Sequence, residues 1–111
     1  MAADDVPPDR ELVDRARGGD REAFGVLAER YYRMVSTLAI QKTNHRADAE
    51  DIVQEAYVRA FRGLVQLREG NRFGAWIYNI TLKLCLDWLR RRDRRDGTVP
   101  FDESAPAHST S

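Results

Sequence analysis

The sequence predicts an all-α fold: a compact bundle of four helices, the first one short. Two observations predict it. Apolar residues recur at spacings of three and four from Leu12 to Leu89, and no stretch shows the strict alternation of a strand. Breaks rich in glycine or polar residues fall at Gly18-Gly19, around residues 41–46 and at Arg68-Glu69-Gly70-Asn71. The chain has 111 residues, 42% hydrophobic and 32% charged, which suits one domain with one modest core. A domain of this size buries a smaller share of its surface than a larger one. Its own stability is therefore limited, and a partner adds to it.

Residues 1–8 read as a flexible lead. Asp9 is placed to cap the first helix, which runs to about Arg17 with Leu12, Val13 and Ala16 on one face. Gly18-Gly19 ends it. Asp20 caps the second helix, whose stripe is Phe24, Leu27, Ala28, Tyr31, Val35, Leu38 and Ala39. After the polar break at 41–46, Asp48 is the expected cap of a third helix reaching about Arg62. Its inner stripe is Ala49, Ile52, Val53, Ala56, Tyr57, Ala60 and Leu64.

In the next loop Gly70 is expected to supply turn freedom and Asn71 a cap. The fourth helix, from about Arg72 to Arg94, is apolar on two faces. Phe73, Ile77, Ile80, Leu84 and Trp88 form one; Tyr78, Leu82, Leu86 and Leu89 form the other, nearly opposite. Such a helix is either sandwiched or offers one face to a partner. A narrow polar lane between the faces carries Asn79, Lys83 and Arg90. The helical domain is assigned to residues 9–95, and 96–111 to a tail or interdomain linker, since periodicity is lost there and Pro100 and Pro106 appear.

Charge is balanced overall, 18 basic against 18 acidic residues, which argues against coating nucleic acid through bulk charge. The distribution is uneven. Lys83 to Arg95 holds six basic residues against two acids, whereas Asp48 to Glu55 holds four acids and no base. Two opposite patches suggest two different partners. Cys85 stands alone, so no disulfide framework exists, and a small apolar filler is its expected role. His45 and His108 form no metal-ligand spacing with it. The chain carries no membrane-length apolar run, and its acidic, proline-containing start is not a signal peptide, so a cytoplasmic location is expected. Paired catalytic carboxylates, a nucleophile with its base and a phosphate-cradling glycine loop are all missing from the pattern. The expectation is a non-enzymatic protein without a cofactor.

On the third helix Asp51, Gln54, Glu55, Val58 and Arg62 lie away from the inner stripe. A solvated face is the plain reading, with Asp48 and Asp51 favoured near the positive helix end. Two details point further. Asp51 and Glu55 repel each other at a spacing of four, and Val58 is apolar among polar neighbours. An acidic rim around an apolar contact suits docking on a basic helical partner.

Around the last loop and fourth helix, Phe73, Trp76, Tyr78 and Trp88 interleave with Asn71, Arg72, Asn79 and Lys83. Aromatics stack on unpaired bases while cations follow phosphates. Phe73 and Trp88 share the inner face and read as core; Trp76 lies at its edge, open to either role. Five arginines within six positions, Arg90 to Arg95, exceed what a favourable helix end requires, and phosphate binding is the better account. Asp87, four before Arg91, is expected to hold it as an i,i+4 pair.

These residues resemble a known family. Asp48 to Phe61 (DAEDIVQEAYVRAF), Phe73 to Arg92 (FGAWIYNITLKLCLDWLRRR) and the opening Asp9 to Val35 look like region 2 of extracytoplasmic-function sigma factors, in the family's order and spacing. The resemblance covers roughly residues 9–95. It implies that the third helix docks on the β′ clamp helices of core RNA polymerase through Asp51, Gln54 and Glu55, with Val58 and Arg62 on the same face. It implies that the loop and fourth helix bind the non-template strand of the promoter −10 element and capture an extruded base. The matching positions are Arg68 to Phe73 for the capture loop, with Arg68, Asn71 and Arg72 as its contact residues, and Trp76, Asn79, Lys83 and Arg90 along the helix, with Arg91 in the adjoining arginine cluster.

One position departs from the pattern: many members have asparagine where this chain has Lys83. Lysine keeps a donor but loses an acceptor, which favours phosphate contact over base reading there. The family's −35-reading helix-turn-helix region is not in this sequence, and the segment from Gly97 resembles the start of the usual linker, so a truncated form is expected. Two other readings stay open. A regulatory interaction module held by an anti-sigma factor would account for Leu82, Leu86 and Leu89 without DNA. A small helix-turn-helix repressor fits less well, because the fourth helix is too long and too apolar.

Overall fold

The computed structural model describes residues 6–96. Residues 1–5 and 97–111, the start of the expected lead and most of the expected linker, lie outside the described residues. Among the described residues there are four α-helices: α1 (Asp9–Arg17), α2 (Arg21–Thr43), α3 (Arg46–Gly63) and α4 (Phe73–Asp96). Two single 3₁₀ turns, Leu64–Gln66 and Gly70–Arg72, connect α3 to α4. The expected bundle with a short first helix is what forms.

Local chemistry accounts for most boundaries. Gly19 adopts φ 107°, closing α1, and the Asp20 carboxylate accepts from the Ala23 amide at 3.1 Å to start α2. That hydrogen bond holds the Asp20 carboxyl below its ordinary pKa. The other expected caps are not used. Pro8 precedes the first helical residue, and Asp9 turns across to α2, where Arg30 Nη1 donates to it at 2.6 Å and the Tyr31 hydroxyl donates to its second oxygen. A carboxylate at a helix N-terminus is favoured by the dipole wherever it points, so two strong donors on a neighbouring helix decide its direction.

α2 runs through the first half of the expected break and is capped by Asn44, which takes the left-handed conformation (φ 59°) and donates to Ile40 O at 2.8 Å. Thr43 is fully buried, its hydroxyl donating to Ala39 O at 2.8 Å, so the chain stays helical there. α3 therefore starts at Arg46, and Asp48 sits within its first turn instead of capping it. Asn71 likewise lies inside a 3₁₀ turn that has no side-chain cap.

The core is continuous and built from the stripes read in the sequence. Leu12 and Val13 of α1, Leu27 and Val35 of α2, Ile52, Val53 and Ala56 of α3, and Phe73, Ile77 and Leu84 of α4 are all buried. Phe73 is its hub: it is inaccessible to solvent and is met by Phe24, Tyr31 and Trp76 at ring-centroid distances of 6.2, 5.8 and 6.0 Å. Edge and tilted ring geometries of this kind add to the burial of aromatic area. Cys85 is buried and unpaired, and burial pushes its thiol pKa up, which agrees with a filler role.

Candidate nucleic-acid interface

The span from Leu67 to Asn79 folds into an open groove of about 460 Å³. Arg68, Arg72, Trp76 and Asn79 line it, joined by Leu67, Glu69 and Ala75. A short loop and the first two turns of α4 thus bring four of the expected residues onto one concavity. Trp76 is half-buried and serves both readings left open for it. It packs against the core and against Phe73, and it also forms groove wall. A ring held from behind by packing has already lost its rotamer freedom, so it can stack on a planar ligand at little further entropic cost.

Asn71 is exposed and is not part of the groove wall. Lys83, also exposed, lies one helical turn beyond Asn79 and continues its line along α4. Arg90 and Arg91 are exposed about 16 Å or more from Asn79 along the axis, at 1.5 Å per residue. The expected Asp87–Arg91 pair does not form. Arg90 Nη2 donates to Asp87 Oδ1 at 2.8 Å instead, an i,i+3 contact between partly exposed groups. The choice between spacings of three and four depends on side-chain rotamers, which periodicity does not specify.

Glu69 lies within the expected capture loop but was not singled out as a contact residue. Its position in the loop was the available signal, but a carboxylate is not what a phosphate-binding surface calls for. Gly70 also has a different role from the expected one. It takes no positive φ; its value is the absent side chain, because α1 lies directly against it.

The outer side of α3 exposes all five expected docking residues, Asp51, Gln54, Glu55, Val58 and Arg62. Glu55 accepts from Arg59 Nε at 3.0 Å. Two further apolar residues continue from Val58 and were missed in the sequence: Phe61, 43% exposed, and Val65, 74% exposed. Phe61 is held by Phe24 at 5.1 Å, with the Arg21 guanidinium over its ring. The second apolar face of α4 is open, with Tyr78 and Leu86 exposed and Leu82 and Leu89 half-buried. Among the described residues, no helix is long and apolar enough to cross a membrane.

This arrangement defines a class: a small helical domain carrying a basic and aromatic groove on one side and an acidic, apolar-centred helix face on another. Comparison with known proteins makes the class specific. The sigma-70 region 2 family model matches residues 27–95. The chain is 32% identical to the RNA polymerase sigma-H factor of Pseudomonas aeruginosa over 87 residues, covering 78% of this chain and 45% of that protein. It is 34% identical to the ECF RNA polymerase sigma-E factor of Escherichia coli over 94 residues, 85% of this chain and 49% of that one. The chain thus spans about half the length of the curated relatives it matches. A solved structure, the NMR complex of an engineered region 2 of sigmaE with GTAAAA, is similar with a TM-score of 0.72 and 32% identity, covering 80% of this chain and 93% of that one. The chain belongs to the sigma-70 region 2 family.

Proposed function

We propose that this domain serves transcription initiation by holding the non-template strand of the promoter −10 element while docked on core RNA polymerase. The observation that carries the reading is the single groove shared by Arg68, Arg72, Trp76 and Asn79, in a family with a solved relative in complex with GTAAAA. Cations for phosphate, an amide for a base edge and a pre-ordered aromatic for stacking are what an unpaired strand requires. Lys83 extends the track by charge, and Arg90 and Arg91 prolong it toward the helix end. Glu69 would repel phosphate, which favours a base over the backbone beside it.

Polymerase docking is assigned to Asp51, Gln54, Glu55, Val58 and Arg62 on α3, toward the β′ clamp helices, with Phe61 and Val65 adding apolar contact. The domain makes and breaks no covalent bond in this scheme. Its binding energy favours the melted state of the promoter, because it engages the separated strand and not the duplex. A cytoplasmic location follows from the same role.

The test is anisotropy of single-stranded oligonucleotides, GTAAAA and scrambled sequences, titrated with the chain in the presence of core polymerase. Salt-sensitive binding is expected, weakened by Arg72→Ala. Binding no stronger than that of core polymerase alone would sink the DNA role. The open Tyr78 and Leu86 on α4 support a second reading, capture by an anti-sigma factor over that apolar face.

A further inference from the structure

The capture loop rests less on its own hydrogen bonds than on α1, a helix that precedes the segment matched by the family model. The 3₁₀ turn Gly70–Arg72 packs mainly on α1 and only secondarily on α4. At the contact, a Cβ added to Gly70 would sit 2.9 Å from Arg10 Cα and 3.0 Å from Val13 Cβ. Arg10 Cα is backbone and cannot rotate aside, so any side chain at position 70 forces the turn and α1 apart. The preceding turn is tied to the same helix, since Arg17 Nε donates to Leu64 O at 3.3 Å. Both turns that bracket the groove's loop wall therefore take their position from one nine-residue helix.

A helix that short does not hold itself in place. α1 is anchored at its start by Asp9, which receives Arg30 and Tyr31 of α2, while Arg30 Nη2 also donates to Pro7 O at 2.9 Å. The anchor reaches the other wall of the groove too. Tyr31 packs on Phe73, and a Cβ on Gly74 would lie 2.8 Å from its ring, so the same tyrosine meets the first turn of α4. One cluster thus joins the helix that seats the loop to the helix that carries Trp76 and Asn79.

We infer that Gly70 and Asp9 are positioning residues for single-strand capture: Gly70 lets the loop seat on α1, and the Asp9–Arg30–Tyr31 cluster fixes α1 relative to α4. This rests on the reading of the groove as a single-strand site. The docking residues Asp51, Gln54, Glu55, Val58 and Arg62 lie on α3, with which α1 makes no contact, so the two bindings separate under mutation; Val65 alone stands on a turn tied to α1.

The experiment compares the full chain with Gly70→Ala, Asp9→Asn and the double variant. The readouts are affinity for a GTAAAA oligonucleotide with core polymerase present, affinity for core polymerase alone, and amide exchange. Gly70→Ala is expected to weaken DNA binding about tenfold while polymerase affinity stays within about twofold. Faster exchange is expected to be confined to residues 67–72. The double variant is expected to bind DNA no worse than Gly70→Ala alone, because a released α1 no longer resists the added methyl. If Gly70→Ala does not fold, Asp9→Asn carries the test, with DNA affinity expected to fall about threefold at unchanged polymerase affinity. Wild-type binding that both folded single variants retain would overturn the positioning role and leave the groove's function standing. An absence of binding by the wild type would overturn the groove reading, and this inference with it.

Discussion

Arg90 and Asp87 form an ion pair at 2.8 Å on the outer side of α4, one turn apart, within the lane that leads from Asn79 past Lys83. The arginine proposed to meet phosphate is thus already in contact with an acid of its own helix. Such a partly exposed pair is weak, so a phosphate can compete for the guanidinium, but the neighbouring carboxylate opposes it.

Asp87→Asn is therefore expected to strengthen single-strand binding by about two- to fivefold and to raise the salt slope by about one. Arg90→Ala with Arg91→Ala is expected to flatten that slope. Titrations at several salt concentrations check both. An unaltered slope in the double-arginine variant would reduce the cluster to a helix end.

Charge reversal on α3 should separate the two interfaces. Asp51→Lys with Glu55→Lys is expected to weaken polymerase binding roughly tenfold or more, with the helical circular dichroism unchanged. Pull-down or competition with core polymerase reads this directly. Unchanged polymerase binding would remove α3 as the docking face.

Gly74→Ala tests the packing behind the groove. The new methyl would enter the Tyr31 ring, which is held by Phe73 and by its hydroxyl bond to Asp9. Overpacking of this kind is expected to cost ~1–3 kcal/mol in denaturant unfolding. A loss below that range would mean the ring yields easily.

Stability should respond to pH at both extremes. Burial first, and the hydrogen bond to Asp9 second, push the Tyr31 pKa up from 10.0 to about 12, and burial does the same for Tyr57. Because the folded state favours the protonated phenols, their contribution is complete below pH 10 and is lost as pH rises through about 12. Tyr31→Phe is expected to reduce the alkaline loss seen in thermal melts. Asp20 has the opposite sign: its carboxyl is lowered by the Ala23 amide, so its contribution holds above its ordinary pKa of 3.8 and disappears as pH falls below it. Asp20→Ala is expected to lose that acid-side dependence.

Much of this molecule was legible in its order of residues. The inner stripes of all four helices, the Gly18-Gly19 stop and the Asp20 cap were read correctly, because each is governed by neighbours within a few positions. The residue types of the groove were also legible, since loop and α4 follow one another in the chain. Apart from the Asp87 pairing, which is a local choice of rotamer, the misread positions depend on distant parts of the chain. Asp9 was expected to cap its own helix, yet its partners Arg30 and Tyr31 lie more than twenty residues away. Phe61 and Val65 were missed because their exposure depends on how the elements pack around them.

By itself, then, the sequence determined which segments are helical, which side of each is apolar and that an aromatic, basic stretch follows an acidic helix; periodicity and capping are local, and local spacing encodes them. Only the tertiary structure decided that Gly70 is required by the closeness of Arg10 and that Trp76 faces core and groove at once. Those depend on excluded volume between packed elements, which no spacing along one helix contains.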